Sequence, residues 1–201
     1  VRVVDYKSGA KPFRLADIVN GLNLQMFLYL FNVCADGSNP YAGVPAGVLY
    51  MHAARSVMTV ETKSSAEKDI AGQEDKAFGM NGIVITNPDC DIPAAMEHDL
   101  AGKYIPVRLK KSGVGGSLAS LEQLGLLQRK IEALVADMGN ALQNGQIGQH
   151  PVQAKDHDKT CEYCDFASVC AFKKSVTPRT YDDQTDSAVL AELEKEGESH
   201  A

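Results

Sequence analysis

Val1-Arg-Val-Val-Asp-Tyr-Lys-Ser-Gly9 opens the chain, and the reading of this stretch decides the fold. An apolar run ends in Asp5, one residue intervenes, and Lys7 follows. The alternation of Val1, Val3 and Asp5 predicts a strand carrying all three on one face, and Lys7, two residues on, joins them. A carboxylate beside an ammonium at a strand end can hold a divalent cation and a polarised water, which is what hydrolysis of a phosphodiester needs. Taken alone, so short a motif reads more simply as a strand-end ion pair on a solvated edge.

The next element shifts that balance. Leu15, Ile18, Val19, Leu22, Met26, Tyr29 and Leu30 recur at the helical period, predicting a helix from Leu15 to Val33. Between Leu22 and Val33 nearly every side is apolar, so this helix is expected to be mostly buried. Gln25 is one of its few polar groups, and Tyr29 lies four residues on along the same face. A buried Gln left unpaired costs on the order of 1–3 kcal/mol. Its partner is either neighbouring backbone or, more pointedly, the Asp5/Lys7 centre, with the Tyr29 hydroxyl free to meet a phosphate.

Asp5-Tyr-Lys-Ser-Gly9 followed by Gln25-Met-Phe-Leu-Tyr29 resembles the second half of a PD-(D/E)XK nuclease of the RecB type, with its Asp-x-Lys and Gln-x-x-x-Tyr motifs. The runs Gly21–Leu30, Pro45–Met51 and Phe78–Ile85 are similar to the AddB branch of that family, which belongs to the bacterial AddAB helicase–nucleases. The likeness covers residue 1 to about residue 172. It implies an α/β fold of restriction-endonuclease type, a mixed sheet flanked by helices, truncated at its N-terminal side. It further implies that Asp5 ligates a catalytic Mg²⁺ with the backbone carbonyl of Tyr6. Lys7 would orient the attacking water or stabilise charge on the phosphate, Gln25 would position Lys7 or a metal-bound water, and Tyr29 would contact DNA. The implied substrate is single-stranded DNA from processed double-strand ends, and the implied partner is an AddA-type helicase–nuclease subunit. The family's first acidic ligand precedes the Asp-x-Lys strand and has no counterpart here. Mg²⁺ demands several oxygens in strict geometry, so these residues by themselves are expected to be inactive.

Val1 is not a start methionine and stands in mid-strand, so an excised C-terminal piece of a longer protein is expected. The length, 201 residues, suffices for one domain with a substantial core, and 44% apolar content is ordinary for a globular chain. No apolar run approaches a membrane span and no signal-like segment opens the chain. No membrane association is expected, and the cytoplasm is the expected compartment. The net charge of −6 argues weakly against nucleic acid. Yet Asp182–Ala201 holds seven acids and one Lys, so the tail alone carries that charge and the remaining residues balance. Residues 173–201 are accordingly read as a charged, flexible tail after a nuclease domain at 1–172. Lys103, Arg108, Lys110 and Lys111 are candidates for a nucleic-acid track, although such groups often form only a solvated edge.

Five cysteines without a secretion signal make a disulfide framework unattractive. Cys161-Glu-Tyr-Cys164-Asp-Phe-Ala-Ser-Val-Cys170 gathers three within ten residues, a spacing suited to a soft metal site. Zinc could borrow His157 or His150 as a fourth ligand; three free thiols are the plainer alternative. By the resemblance, Cys161, Cys164 and Cys170 would hold a [4Fe–4S] cluster whose fourth cysteine lies outside this chain. Cys34 and Cys90 fit no family position.

Between these motifs, Val44–Val57 reads as a strand, where His52 is more simply a packed or edge histidine than a catalyst. Glu61–Lys76 is a polar connection. Phe78–Ile85 is an apolar stretch turned at Asn81-Gly82, Pro88–His98 is a short helix or loop with Met96 inward, and Tyr104–Leu109 is another strand. Ser112-Gly-Val-Gly-Gly-Ser117 lacks the Gly-Lys-Ser/Thr of a phosphate loop and reads as a flexible connector. A long amphipathic helix follows, capped by Ser120 with Gln123, striped by Leu121, Leu124, Leu127, Ile131, Leu134, Val135, Met138 and Leu142, and stopped near Gly145. No motif for nucleotide hydrolysis occurs, so any ATPase belongs elsewhere in the parent or to its partner. Two other classes compete with the nuclease. One is a catalytically dead DNA-binding or assembly module held by the cysteine cluster; the other is a zinc-stabilised interaction domain unrelated to DNA.

Overall fold

A computed structural model describes residues 1–9, 11–35, 37–53, 78–155, 161, 164–170 and 178–199. The polar connection expected at Glu61–Lys76 lies outside the described residues, as does His157. The chain forms two compact units, one of Val1–Phe13 with Gln25–Gly125 and another of Arg14–Leu24 with Leu126–Ala201.

The first unit is built on a mixed four-stranded sheet in the order β1-β2-β3-β6, flanked by helices as expected. Strand β1 (Arg2–Lys7) pairs in parallel with β2 (Gly47–His52), with Asp5 opposite Tyr50 and Lys7 opposite His52. Strand β3 (Asn81–Thr86) runs antiparallel to β2, and β6 (Leu118–Ser120) is parallel to β3. Apolar runs with no alternation mark strands covered on both faces. Accordingly Val48, Leu49, Ile83, Val84 and Ile85 are all at most 1% exposed. On one face Leu49 and Val84 pack with Ile92, Leu100, Ile105 and Val107. On the other, the Phe13 ring lies 6.1 Å from Tyr50 and 6.2 Å from Phe27.

Several expectations are corrected. The helix foreseen from Leu15 to Val33 is two helices, α1 (Leu15–Val19) and α2 (Gln25–Ala35). The chain between them turns through positive φ at Gly21 and Asn23, and the Asn20 side chain donates to the Ala16 carbonyl. Helix α2 is one-sided rather than enclosed: Met26, Phe27, Leu30 and Phe31 are buried, whereas Gln25 and Tyr29 are exposed. Asn81-Gly82 is no turn but part of β3. Gly82 adopts φ +152, and a Cβ there would approach the Val48 carbonyl to 2.1 Å, so the closeness of two strands demands the glycine.

Helix α3 (Ile92–Met96) is capped by Asp91, whose carboxylate accepts from the Ala94 N–H, and Met96 packs against the core. The Gly-rich connector is also a strand. Gly113–Gly116 (β5) pairs antiparallel with β4 (Val107–Lys110), from Val107 opposite Gly116 to Lys110 opposite Gly113. Glycines carry no side-chain alternation, so the pattern hid a backbone ladder.

Helix α4 (Leu121–Gln143) follows the expected capping box: the Ser120 N–H donates to Gln123 Oε1 (2.8 Å) and the Gln123 N–H to Ser120 Oγ (3.1 Å). Leu124, Leu127 and Ile131 are buried, while Val135, Met138 and Leu142 further along the expected stripe are exposed. The helix ends where expected, the Gly145 N–H donating to the Leu142 carbonyl and the Gln146 N–H to that of Ala141.

In the second unit, β7 (Val152–Ala154) pairs in parallel with β8 (Arg179–Tyr181), and α5 (Ala167–Cys170) is a single turn. The acidic stretch read as a flexible tail contains α6 (Asp186–Ser199), a helix whose Val189, Leu190 and Leu193 are at most 5% exposed. Charge dominated its composition and concealed this short apolar stripe. Asp186 accepts the Leu15 N–H (2.8 Å), and the buried Asp17 accepts the Tyr181 hydroxyl (2.7 Å). Burial first, then the hydrogen bond to Asp17, pushes the Tyr181 phenol well above its usual range.

Candidate functional site

Strand alternation puts Asp5 and Lys7 on one face of β1, and parallel register adds Tyr50 and His52 of β2 to that face. Asp5 Oδ2 and Lys7 Nζ are 2.5 Å apart, with the two side chains 31% and 28% exposed. The pair is shielded enough to hold its geometry and open enough to meet a ligand. The hydrogen bond that Lys7 donates to Asp5 raises the Lys7 pKa, burial opposes it, and the charges of Asp5 and Tyr50 add to the rise. Lys7 therefore stands as an ammonium at neutral pH, a donor and a positive charge rather than a base. Its Nζ also lies 5.5 Å from the centre of the Tyr50 ring, which Lys11 approaches to 5.7 Å.

The Gln25/Tyr29 motif forms a second pair. Gln25 Nε2 donates to the Tyr29 hydroxyl at 2.9 Å, on the exposed face of α2. Gln25 thus bonds neither Asp5 nor Lys7, although α2 packs against both β1 and β2. An exposed Gln at a helix start loses nothing by bonding its i+4 neighbour instead of reaching across the sheet.

Which residues could hold a divalent cation follows from the backbone. The Val1 and Lys7 carbonyls accept from Ala46 and Ala53, so odd-numbered carbonyls of β1 face β2. Alternation turns the Tyr6 carbonyl to the opposite edge, which carries no paired strand among the described residues. Asp5 and this carbonyl are hard oxygen donors of the kind Mg²⁺ takes, so they fit one flank of such a centre.

A cleft of about 980 Å³ opens beside the pair, at the carboxyl ends of β1 and β2. Lys7, Lys11, Tyr50, His52, Lys103, Arg108 and Lys110 stand on its wall together with several glycines, and no Asp or Glu among the described residues lines it. Tyr50 and His52 were not foreseen as site residues. Their presence depends on the pairing of β1 with β2, which no local pattern encodes. The segment 102–105 is fixed by Glu97, only 8% exposed, whose carboxylate accepts the N–H groups of Lys103, Tyr104 and Ile105 at 2.8–3.0 Å. Burial alone would push Glu97 up, but the surrounding backbone donors together hold it below the usual carboxylate range.

In the second unit, the Cys164 N–H donates to the Cys161 carbonyl (3.4 Å) and the Cys170 N–H to that of Phe166 (2.8 Å), a turn leading into α5. Cys164 is exposed and Cys161 and Cys170 partly so. Among the described residues, no three His, Cys, Asp or Glu side chains converge as a metal site, and His150 is exposed. The cysteine spacing itself suits a soft metal.

Residues 1–171 match the family model of the PD-(D/E)XK nuclease superfamily. Over 209 aligned residues, 98% of this chain, it is 31% identical to the B-type subunit of the ATP-dependent helicase/deoxyribonuclease of Bacillus thuringiensis (strain Al Hakam). It is 32% identical to the protein of the same name from Oceanobacillus iheyensis over the whole chain, and 32% identical to that of Ruminiclostridium cellulolyticum over 87% of it. The chain spans only 18%, 18% and 15% of those proteins. With an Asp-x-Lys pair at a strand end and a family match over residues 1–171, the chain belongs to the PD-(D/E)XK nuclease superfamily.

Proposed function

We propose that this chain is the nuclease portion of an AddB-like component of a helicase–nuclease. In this reading the parent hydrolyses single-stranded DNA exonucleolytically, with Mg²⁺, during ATP-dependent processing of double-strand breaks in the cytoplasm. The observation that carries the reading is the Asp5–Lys7 pair, 2.5 Å apart at a strand end, with Lys7 on the wall of a cation-lined cleft. The relatives share a name that makes each of them one component of an ATP-dependent helicase/deoxyribonuclease, which supports the DNA substrate and an AddA-type partner.

Asp5 and the Tyr6 carbonyl would hold the cation, which when bound lowers the pKa of water and offsets charge developing on the phosphate. The chain's own groups do the rest. Lys7, kept protonated by Asp5, donates to a phosphate oxygen or orients the attacking water. Gln25 and Tyr29 act together, the amide fixing the phenol that contacts the DNA backbone. A second carboxylate from beyond these residues completes the centre, so the 201 residues alone do not cut. Cys161, Cys164 and Cys170 serve the parent as three ligands of a [4Fe–4S] staple. Their spacing supports that role, and about four iron atoms per molecule of anaerobically purified intact protein are expected. Zinc in place of iron would contradict it.

The test is cleavage of end-labelled single-stranded DNA by the intact protein in Mg²⁺. Asp5→Ala and Lys7→Ala should each lower the rate by at least about 100-fold, the scale for losing one charge-stabilising group. Full retention by either variant refutes the assignment. The lack of any acid on the described cleft wall favours a second reading, a DNA-binding or assembly module with a dead centre. Tight binding of DNA ends by the intact wild-type protein with no cutting at all would establish that reading instead.

A further inference from the structure

We infer that strand β4 and the segment before it form a phosphate track that leads one single strand of nucleic acid to Lys7. The inference rests on the nuclease reading above and deepens it by assigning the substrate-holding wall. Alternation places Arg108 and Lys110 on the same side of β4, with Leu109 between them on the other. Both basic side chains, with Lys103 and Lys11, line the cleft that Lys7 also lines. Neither Arg108 nor Lys110 has an acidic partner among the described residues, and no acid among them lines the cleft to neutralise the pair. A solvated edge ordinarily intersperses both signs, whereas a one-signed concave wall draws a polyanion.

The floor under these cations is glycine. Gly102 has φ +69, and a Cβ there would come within 2.3 Å of Arg108 Cγ, so the guanidinium stem lies directly on the backbone. Lys110 Nζ lies 3.4 Å from where a Gly115 Cβ would stand. Both side chains are solvent-exposed and line the cleft. Glu97 pins the segment carrying Gly102 and Lys103, so the wall is set before any ligand arrives. Arg108 and Lys110 stand roughly 7 Å apart along the strand, a step comparable with that between successive phosphates of an extended single strand. The contacts are to phosphate alone, so binding is indifferent to sequence.

The experiment uses the intact protein carrying Asp5→Ala, so that binding is read without cutting. Fluorescence anisotropy of labelled oligo-dT and oligo-dA is followed against salt. Arg108→Gln/Lys110→Gln should weaken both oligonucleotides equally and reduce the slope of log K against log salt by about 1.4, two phosphates at about 0.7 each. Arg108→Lys/Lys110→Arg, which keeps both charges, should retain the wild-type slope. Lys195→Ala/Arg129→Ala, a pair outside the cleft lining, should leave it unchanged. An unaltered slope in the Gln pair, or a slope lost in the charge-keeping pair, overturns the track. Loss confined to a blunt duplex of equal length overturns the single-strand assignment. These outcomes are separate from the cutting assay of Asp5→Ala and Lys7→Ala, which alone decides the nuclease reading.

Discussion

At the scale of single residues, Asp5 and Lys7 were legible because an alternating strand announces which side chains share a face. Tyr50 and His52 were not, because their place beside the pair depends on a register between segments some forty-five residues apart. Gln25 was legible as a motif but not in its surroundings: it sits on an exposed face and donates to Tyr29, not to Lys7. This arrangement predicts a division of labour. Tyr29→Phe removes the hydroxyl that Gln25 orients and should raise KM for single-stranded DNA about fivefold, the value of one hydrogen bond of about 1 kcal/mol, with kcat little changed. Steady-state cleavage by the intact protein checks this. An equal fall in kcat would move Tyr29 to the reacting phosphate.

At the scale of elements, the capping box at Ser120 could be read directly, since both partners lie within one turn of sequence. Ser120→Ala should cost about 1 kcal/mol in denaturant unfolding, whereas an unchanged midpoint would mean the cap contributes nothing. The β4–β5 hairpin was hidden by its glycines, and the segment 102–105 by its dependence on a carboxylate several residues upstream. Glu97 makes that dependence measurable. Its pKa is held below the usual value near 4.3 of an unfolded Glu. Its contribution is therefore fully present above that value and lost as pH falls through the still lower folded pKa. Glu97→Ala should destabilise by at least about 2 kcal/mol at pH 7, because it orphans the buried Ile105 N–H and the part-buried N–H groups of Lys103 and Tyr104. The gap from wild type should narrow below about pH 4. A gap independent of pH would show that Glu97 acts by packing alone.

At the scale of the whole molecule, overall charge was a poor guide. The net −6 is carried by the residues that include α6, while the described wall of the cleft beside Lys7 holds cations without an acid. Averaging over the chain cancelled a local asymmetry that matters for a polyanion. The helical break at residues 20–24 was also invisible to periodicity, because the apolar spacing continues across it while the chain passes from one compact unit to the other. The chain corresponds to under a fifth of its relatives' length. The most direct test of the central claim exchanges the oxygen proposed to hold the metal for sulfur. Asp5→Cys in the intact protein should abolish cutting of single-stranded DNA in Mg²⁺, a cation that takes oxygen ligands rather than a thiolate. Undiminished cutting by Asp5→Cys in Mg²⁺ would contradict the account.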